Sequence, residues 1–292
     1  MRLAALAGRD TPPALLACLA DLDPAAPADY RELAALAVDV WVESRPRAVG
    51  VCGGQGAGKS TLTPLLVEAC EARGLRCAAL GLDDFYLDAR ARRTLAERVH
   101  PLFATRGPPG THDARACLAA IRALREPGEV RVPVFDKGTD DRRGERLLQG
   151  PFDLVLLEGW CVGARPVGAA ALERPINALE AEHDPSGAWR RHSDAALAGD
   201  YAALFGALES LLFLRVPGLD AVRRWRLQQE SQRPPAQRLD AEAVDHFVAH
   251  YERITLAMLE DLPGRAELCV DLDEDHGVAA LHFRDAPGIG PA

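Results

Sequence analysis

The sequence predicts a doubly wound, mostly parallel α/β sheet, and three observations carry that expectation. Short apolar runs suited to buried strands alternate with segments of helical spacing along most of the 292 residues. One run, Phe152 to Leu157, is apolar apart from Asp153, the pattern of a central parallel strand covered on both faces. And Gly53-Gly54-Gln55-Gly56-Ala57-Gly58-Lys59-Ser60 spells G-x-x-x-x-G-K-S between a strand candidate and a helix candidate.

Taken in order, residues 1–45 read as an alanine-rich N-terminal helical appendage with turn signals at Thr11-Pro12-Pro13 and Asp23-Pro24. A single larger domain, 46–292, follows. Its first strand is Arg47 to Cys52. Its first helix runs from Thr61 to Arg73, with Leu62, Leu65, Leu66 and Ala69 on one face and Gly74 as the stop. Arg76 to Leu82 reads as a second strand that ends in Asp83-Asp84-Phe85-Tyr86. A charged helix over 90–100, an ordered loop over 106–113, a helix from Asp113 to Arg125 and an extended segment Glu129 to Phe135 come next. Beyond the Phe152 to Leu157 strand lie a helical insertion (169–209), a strand at Leu211 to Val216, helices over 218–231 and 240–260, and a last strand at Leu268 to Leu272.

Composition narrows the class. Lys and Arg number 34 against 43 Asp and Glu, a formal charge of −9, which argues against nucleic acid as a main partner. Seven scattered cysteines form no C-x-x-C pair, so buried thiols in a reducing compartment are expected rather than disulfides or a metal site. The mildly apolar start is interrupted by Arg9 and Asp10, and no run approaches membrane-spanning length. A cytoplasmic protein with no membrane partner is the expectation; the oligomeric state is left open.

The G-x-x-x-x-G-K-S segment predicts a nucleoside triphosphate site. Its glycines let successive N–H groups turn inward, and the following helix adds a partial positive charge at its N-terminus. Gly53 to Gly58 would form the cradle and Lys59 would reach the β- and γ-phosphates. Ser60 would ligate Mg²⁺, with Thr61 beside it. Glu158 ends the buried strand next to this loop, where a carboxylate can hold the metal directly or through water. Asp83 and Asp84 stand on the same rim, where phosphoryl transfer to an alcohol needs a carboxylate near the acceptor hydroxyl. Alternation along extended chain makes them point opposite ways, so one of the two is the base. On the helix over 218–231, Arg223 and Arg226 share a face suited to neutralising charge on a transferred phosphoryl group. Arg106, His112 and Lys137 offer cations or donors to a small anionic acceptor. Asp113 could orient His112, accept a substrate hydroxyl or cap the helix that follows it.

Together Gln55 to Thr61, the Asp83-Asp84-Phe85-Tyr86 corner and Leu157-Glu158-Gly159-Trp160 resemble the P-loop kinases of the phosphoribulokinase, uridine kinase and pantothenate kinase group. Within that group, Arg106-Gly107-Pro108-Pro109-Gly110-Thr111-His112-Asp113 and Trp225-Arg226-Leu227-Gln228-Gln229-Glu230 resemble the plant-type D-glycerate 3-kinases and their bacterial and fungal relatives. The resemblance spans roughly residues 45–262. It implies a P-loop kinase fold with helical lid and insertions, ATP and Mg²⁺, and a small hydroxylated acceptor such as D-glycerate. It also implies Asp83 as base and metal neighbour, Glu158 as metal ligand or catalytic acid, Arg223 and Arg226 as lid arginines, and Asp84 and Tyr86 as acceptor contacts. The sequence departs from the pattern at Cys52 and Gly54, where serine and proline are common, and at His250-Tyr251-Glu252-Arg253, which lacks a proline after the tyrosine. Neither an N-K-x-D guanine motif nor a D-x-x-G switch is present, which disfavours a GTPase. A nucleoside kinase is the nearer competitor.

Overall fold

The computed structural model describes residues 1–231 and 238–284. A six-stranded sheet has the order β2-β5-β1-β6-β7-β8, built from β1 (Ala48–Gly53), β2 (Cys77–Gly81), β5 (Leu154–Gly159), β6 (Ser210–Arg215), β7 (Leu268–Leu272) and β8 (Val278–Phe283). The first five strands are mutually parallel, and β8 returns antiparallel along the edge. This is the mostly parallel doubly wound sheet expected from the sequence.

Alternation along each strand sends side chains to two separate apolar layers. Val49 and Val51 of β1, Leu154 and Leu156 of β5, and Leu212 and Leu214 of β6 face one layer. The helices α1 (Arg2–Leu6), α2 (Pro13–Asp21), α3 (Ala28–Ser44), α4 (Lys59–Ala72), α10 (Leu219–Ser231) and α11 (Ala241–Ala249) supply the rest of it. Cys52, Val155, Leu157 and Phe213 face the other layer. There they meet α6 (Ala114–Leu124), α8 (Ala188–Ala198), α9 (Asp200–Phe205) and α12 (Glu252–Asp261). The remaining helices are α5 (Ala89–Arg98) and α7 (Ala178–His183). All seven cysteines are buried with free thiols. Among the described residues no helix is long and apolar enough to cross a membrane.

Several elements differ from the sequence reading. The extended segment near Glu129 becomes β3 (Gly128–Asp136), which pairs antiparallel with β4 (Asp141–Gly150) in a separate ribbon. No strand was expected at β4, because Asp141-Arg142-Arg143-Gly144-Glu145-Arg146 shows no apolar alternation; its partner strand, not burial, holds it extended. β8 escaped notice because one edge strand with Val278 and Leu281 facing the core carries a weak pattern. The helix expected over 240–260 is two helices that break at His250-Tyr251. Asp83 and Asp84 lie on a 3₁₀ turn, Leu82–Phe85, beyond the strand rather than on its extended end. Strand alternation therefore does not separate them, and the turn does instead.

Leu156 is fully buried in β5, between β1 and β2. Truncation there leaves a cavity that neighbouring strands cannot collapse into, so Leu156→Ala should cost about 2–5 kcal/mol, read from the urea midpoint at unchanged slope.

Candidate active site

The site lies at the carboxyl ends of β1, β2 and β5, where doubly wound sheets place ligands. The loop leaving β1 turns sharply into α4, whose N-cap is Gly58 at φ 85°. Gly56 is also left-handed, at φ 80°. Both glycines are wedged against aromatic rings. A Cβ on Gly56 would come within 2.8 Å of Trp225 Cβ, and one on Gly58 within 2.1 Å of the Tyr30 hydroxyl. That hydroxyl donates to the Ala57 carbonyl at 3.2 Å, and Tyr30 is buried. The loop is thus clamped between α3 and α10.

A cavity of about 240 Å³ opens in front of this loop. It is lined by Gln55, Gly56, Lys59 and Ser60 from the loop, Asp83 and Tyr86 from the β2 corner, and Glu158 from β5. Gly159 and Trp160 follow Glu158 on the wall, and Arg106, Lys137, Arg226, Gln229, Phe247 and Tyr251 complete it. A second cavity of about 300 Å³ lies on the other flank of the loop. It shares Gly56, Lys59, Ser60 and Gln229 and adds Pro27, Tyr30, Gly58, Thr61 and His276.

The electrostatics are those of an anion site rimmed by carboxylates. Lys59 Nζ donates to the carbonyls of Gly53 (2.8 Å) and Gly54 (3.0 Å). Burial pulls its pKa down, partly offset by the charges of Glu158 and Asp83. Three side-chain polar atoms of residues on the cavity wall are buried without a hydrogen-bond partner, Gln55 Nε2, Glu158 Oε2 and Arg226 Nε. Burial raises the pKa of Glu158, against a lowering pull from Lys59. Asp83 behaves differently. Burial would raise it, yet the Lys137 ammonium, 2.7 Å from Asp83 Oδ2, outweighs burial and holds the carboxyl below its usual range, helped by His112 and Lys59. Asp84 turns away from the cavity wall and accepts from the Phe135 N–H at 3.4 Å, with its pKa raised by burial.

The 106–113 loop is stitched beneath the β2 corner. Leu87 N–H donates to Thr111 C=O and Asp113 N–H donates to Phe85 C=O, both at 2.8 Å. His112 is buried under Tyr86, ring centroids 4.2 Å apart, with Nδ1 2.6 Å from the Tyr201 hydroxyl. Burial depresses its pKa to about 4, partly opposed by Asp83. Asp113 caps α6 by accepting from Ala116 N–H at 3.0 Å. Neither side chain lines the cavity, so the contacts expected of His112 and Asp113 with an acceptor are not what the fold brings together. Arg106 does line it, paired with Asp140 and held 5.7 Å above the Phe135 ring. Arg226 lines it as well, bound to Glu230 at 2.5 Å and stacked 4.4 Å over Phe247. Arg223 faces Asp220 (3.3 Å) and Asp245 (3.4 Å) instead, outside the cavity wall.

Residues missed in the sequence reading are Tyr30, Phe247, Tyr251 and His276. The Tyr251 hydroxyl donates to Arg106 C=O at 3.2 Å and packs where Gly107 has no Cβ. Tyr30 precedes the loop by more than twenty residues on an alanine-rich helix, and no local signal marks it.

No family model matches the chain. Over 260 residues it is 29% identical to an uncharacterized kinase, mug58, of Schizosaccharomyces pombe, an alignment covering 82% of this chain and 92% of the relative. It is 28% identical over 261 residues to the chloroplastic D-glycerate 3-kinase of Arabidopsis thaliana, covering 79% of this chain but 53% of the plant enzyme, about half its length. Among solved structures, a D-glycerate 3-kinase from Cryptococcus neoformans superposes with a TM-score of 0.71 at 26% identity, covering 87% of this chain and 99% of that one. The fold is that of the P-loop kinases. More narrowly, the chain is similar to P-loop kinases that include D-glycerate 3-kinases.

The clamp on Gly58 yields a direct test. A left-handed non-glycine residue costs about 1–3 kcal/mol, so Gly58→Ala should weaken ATP binding at least about tenfold in titration calorimetry, with the circular dichroism spectrum unchanged.

Proposed function

We propose that the protein is an ATP-dependent kinase that transfers the γ-phosphoryl group to a hydroxyl of a small anionic acceptor, with D-glycerate, giving 3-phosphoglycerate, as the leading candidate. The observation that supports this most is the composition of the 240 Å³ cavity: two carboxylates, Asp83 and Glu158, with Lys59, Arg106 and Lys137 as cations on the same wall, Lys137 lying 2.7 Å from Asp83. Those cations favour an acid over a neutral nucleoside as acceptor.

In this reading the loop N–H groups, Gln55 and Lys59 hold the β- and γ-phosphates. Thr61 and the second cavity, with Pro27, Tyr30, Gln229 and His276, take the nucleoside end. That orientation follows because the carboxylates lie on the opposite flank. Mg²⁺ keeps several waters and takes one or two carboxylates plus phosphate oxygens. Among the described residues no group of three His, Cys, Asp or Glu side chains forms a metal cage. Ser60, Glu158 with its unpartnered Oε2, and Asp83 fit that sparse demand. When bound, the ion neutralises charge developing on the phosphoryl oxygens. Asp83 receives the proton of the attacking hydroxyl, and Arg226 offsets charge on the transferred group.

The deciding measurement is ADP release with D-glycerate, with uridine and with no acceptor; stimulation by uridine alone would replace the acid with a nucleoside. Asp83→Asn should lower kcat by about 10² or more with little change in ATP KM, since it removes the proton acceptor and leaves the loop intact. Glu158 has a raised pKa and must be ionised to hold a metal, so apparent Mg²⁺ affinity should fall first as pH drops through that value. Turnover dependent on Asp83 should persist to lower pH, because its pKa is depressed. Glu158→Gln should abolish the first transition, and a metal affinity as pH-dependent as in the parent would sink that assignment.

A further inference from the structure

We propose that the chain carries a second, non-catalytic binding site at the amino ends of β1 and β5, built for a small molecule with an apolar body and one anionic group, and that Arg45 recognises the anion. This site lies at the other end of the sheet from the phosphate loop, and no step of the kinase reading enters it.

A cavity of about 570 Å³ opens there, larger than either cavity beside the phosphate loop and within the usual size of small-molecule pockets. Trp41 and Val42 come to it from the last turn of α3, Leu75 from the turn after α4, and Phe152 and Leu154 from the entry to β5. They make an apolar floor. Trp41 is 3% and Leu154 2% exposed, and the Arg76 guanidinium lies 5.1 Å from the Phe152 ring centroid. Such a floor takes an aromatic or aliphatic ligand body through burial of apolar surface.

Three arginines, Arg45, Arg47 and Arg73, stand on the rim. Two of them are engaged within the fold: Arg73 pairs with Asp39 at 2.6 Å, and Arg47 donates to Arg125 C=O at 3.0 Å. Arg45 is exposed, and among the described residues its guanidinium has no hydrogen-bond or ion-pair partner. Its backbone is left-handed, at φ 53°, where α3 ends and Arg45 N–H donates to Trp41 C=O at 2.8 Å. Helices that close in this conformation usually do so on glycine or asparagine, because a Cβ there costs free energy. A strained arginine without a partner in the fold has its use outside the fold, and the cavity beside it supplies one.

The carboxylates nearby do not oppose an anion. Asp39 is neutralised by Arg73, and Asp153 Oδ2 accepts from Arg76 N–H at 2.8 Å. Glu209 pairs with Arg125 at 3.2 Å and accepts from Arg47 N–H at 2.8 Å. Arg76 directs its guanidinium to the carbonyls of Pro151 (2.5 Å) and Gln149 (2.9 Å). The C-termini of α3 and α4 bring partial negative charge. Their last carbonyls accept from the N–H groups of Arg45, Arg73, Gly74 and Leu75, and the full charges of the arginines outweigh them. Tyr30, which closes on Gly58, and Trp41 sit on one helix, about 16 Å apart along its axis. An occupant of this cavity therefore leaves the phosphate loop open to ATP.

The test uses two dyes with the full chain: anilinonaphthalene sulfonate, an apolar body bearing one anionic group, and phenylnaphthylamine, the same body without it. Fluorescence titrations compare the parent with Arg45→Gly and Leu75→Trp, and urea midpoints are measured for all three. In the parent we expect the sulfonate dye to bind about fivefold tighter than the neutral dye and to stay bound at saturating ATP. Arg45→Gly removes the cation and the left-handed strain together, so that advantage should vanish while the urea midpoint holds or rises. Leu75→Trp fills the cavity and should abolish binding of both dyes; if it does not fold, the Arg45→Gly comparison decides alone. Equal affinities of the two dyes in the parent overturn the anion site, and so does sulfonate binding unchanged in Arg45→Gly. Release of the sulfonate dye by ATP would place it beside the phosphate loop and overturn the site as well. Sedimentation of the dye-free parent covers the remaining occupant: a dimer that dissociates in Leu75→Trp would give the cavity to a second copy of the chain and refute the proposal.

Discussion

An anion cradle made of backbone imposes the constraint on which this molecule is built. Successive N–H groups point inward only when some residues adopt φ > 0, and side chains at those residues would obstruct the approach. Here Gly56 and Gly58 take that conformation. Glycines alone would also populate other conformations, so the loop must be held from outside. Trp225 closes on Gly56 and Tyr30 on Gly58. Trp225 is itself fixed, with Nε1–H donating to Glu274 C=O at 2.9 Å and its ring stacked on His276 at 4.1 Å. Residues near both ends of the chain therefore converge on one turn, and the phosphate loop inherits its rigidity from them.

The opposite wall is organised by paired charges together with stacked rings. Arg92, 2% exposed, reaches the ribbon turn through Asp140, and Asp140 in turn holds Arg106. Buried His112 supports Tyr86 from below, and Tyr201 receives the N–H groups of Gly110 (3.1 Å) and His112 (3.3 Å). This arrangement explains why the conspicuous Arg106–Asp113 segment contributes one side chain to the cavity and several to its foundation. A polar segment under an active-site corner must satisfy its own backbone groups before it can offer any to a ligand.

Two adjacent aspartates show how local geometry assigns roles. On the 3₁₀ turn, Asp83 reaches the cavity and meets Lys137, while Asp84 accepts from the ribbon at Phe135. Their pKa values move in opposite directions for that reason: a cation outweighs burial at Asp83, whereas burial prevails at Asp84. The resulting contrast is the usual mark of carboxylates with different tasks.

The sequence by itself determined the parallel sheet, the phosphate loop, and the positions of Lys59, Ser60, Asp83 and Glu158 on one rim. Each of these is a short-range matter of apolar runs, glycine spacing and strand ends, which neighbouring residues dictate. It did not reveal β4 and β8, whose extended form depends on a partner strand, nor the break at His250-Tyr251. Tertiary structure alone decided that Arg226 lines the cavity while Arg223 does not, and that His112 is a buried support. Helical spacing put both arginines on one face, but which neighbour that face meets depends on α11, folded back from later in the chain. Likewise Tyr30 reaches the site from distant sequence because packing brings α3 against the loop. Contacts of that kind have no local pattern to announce them.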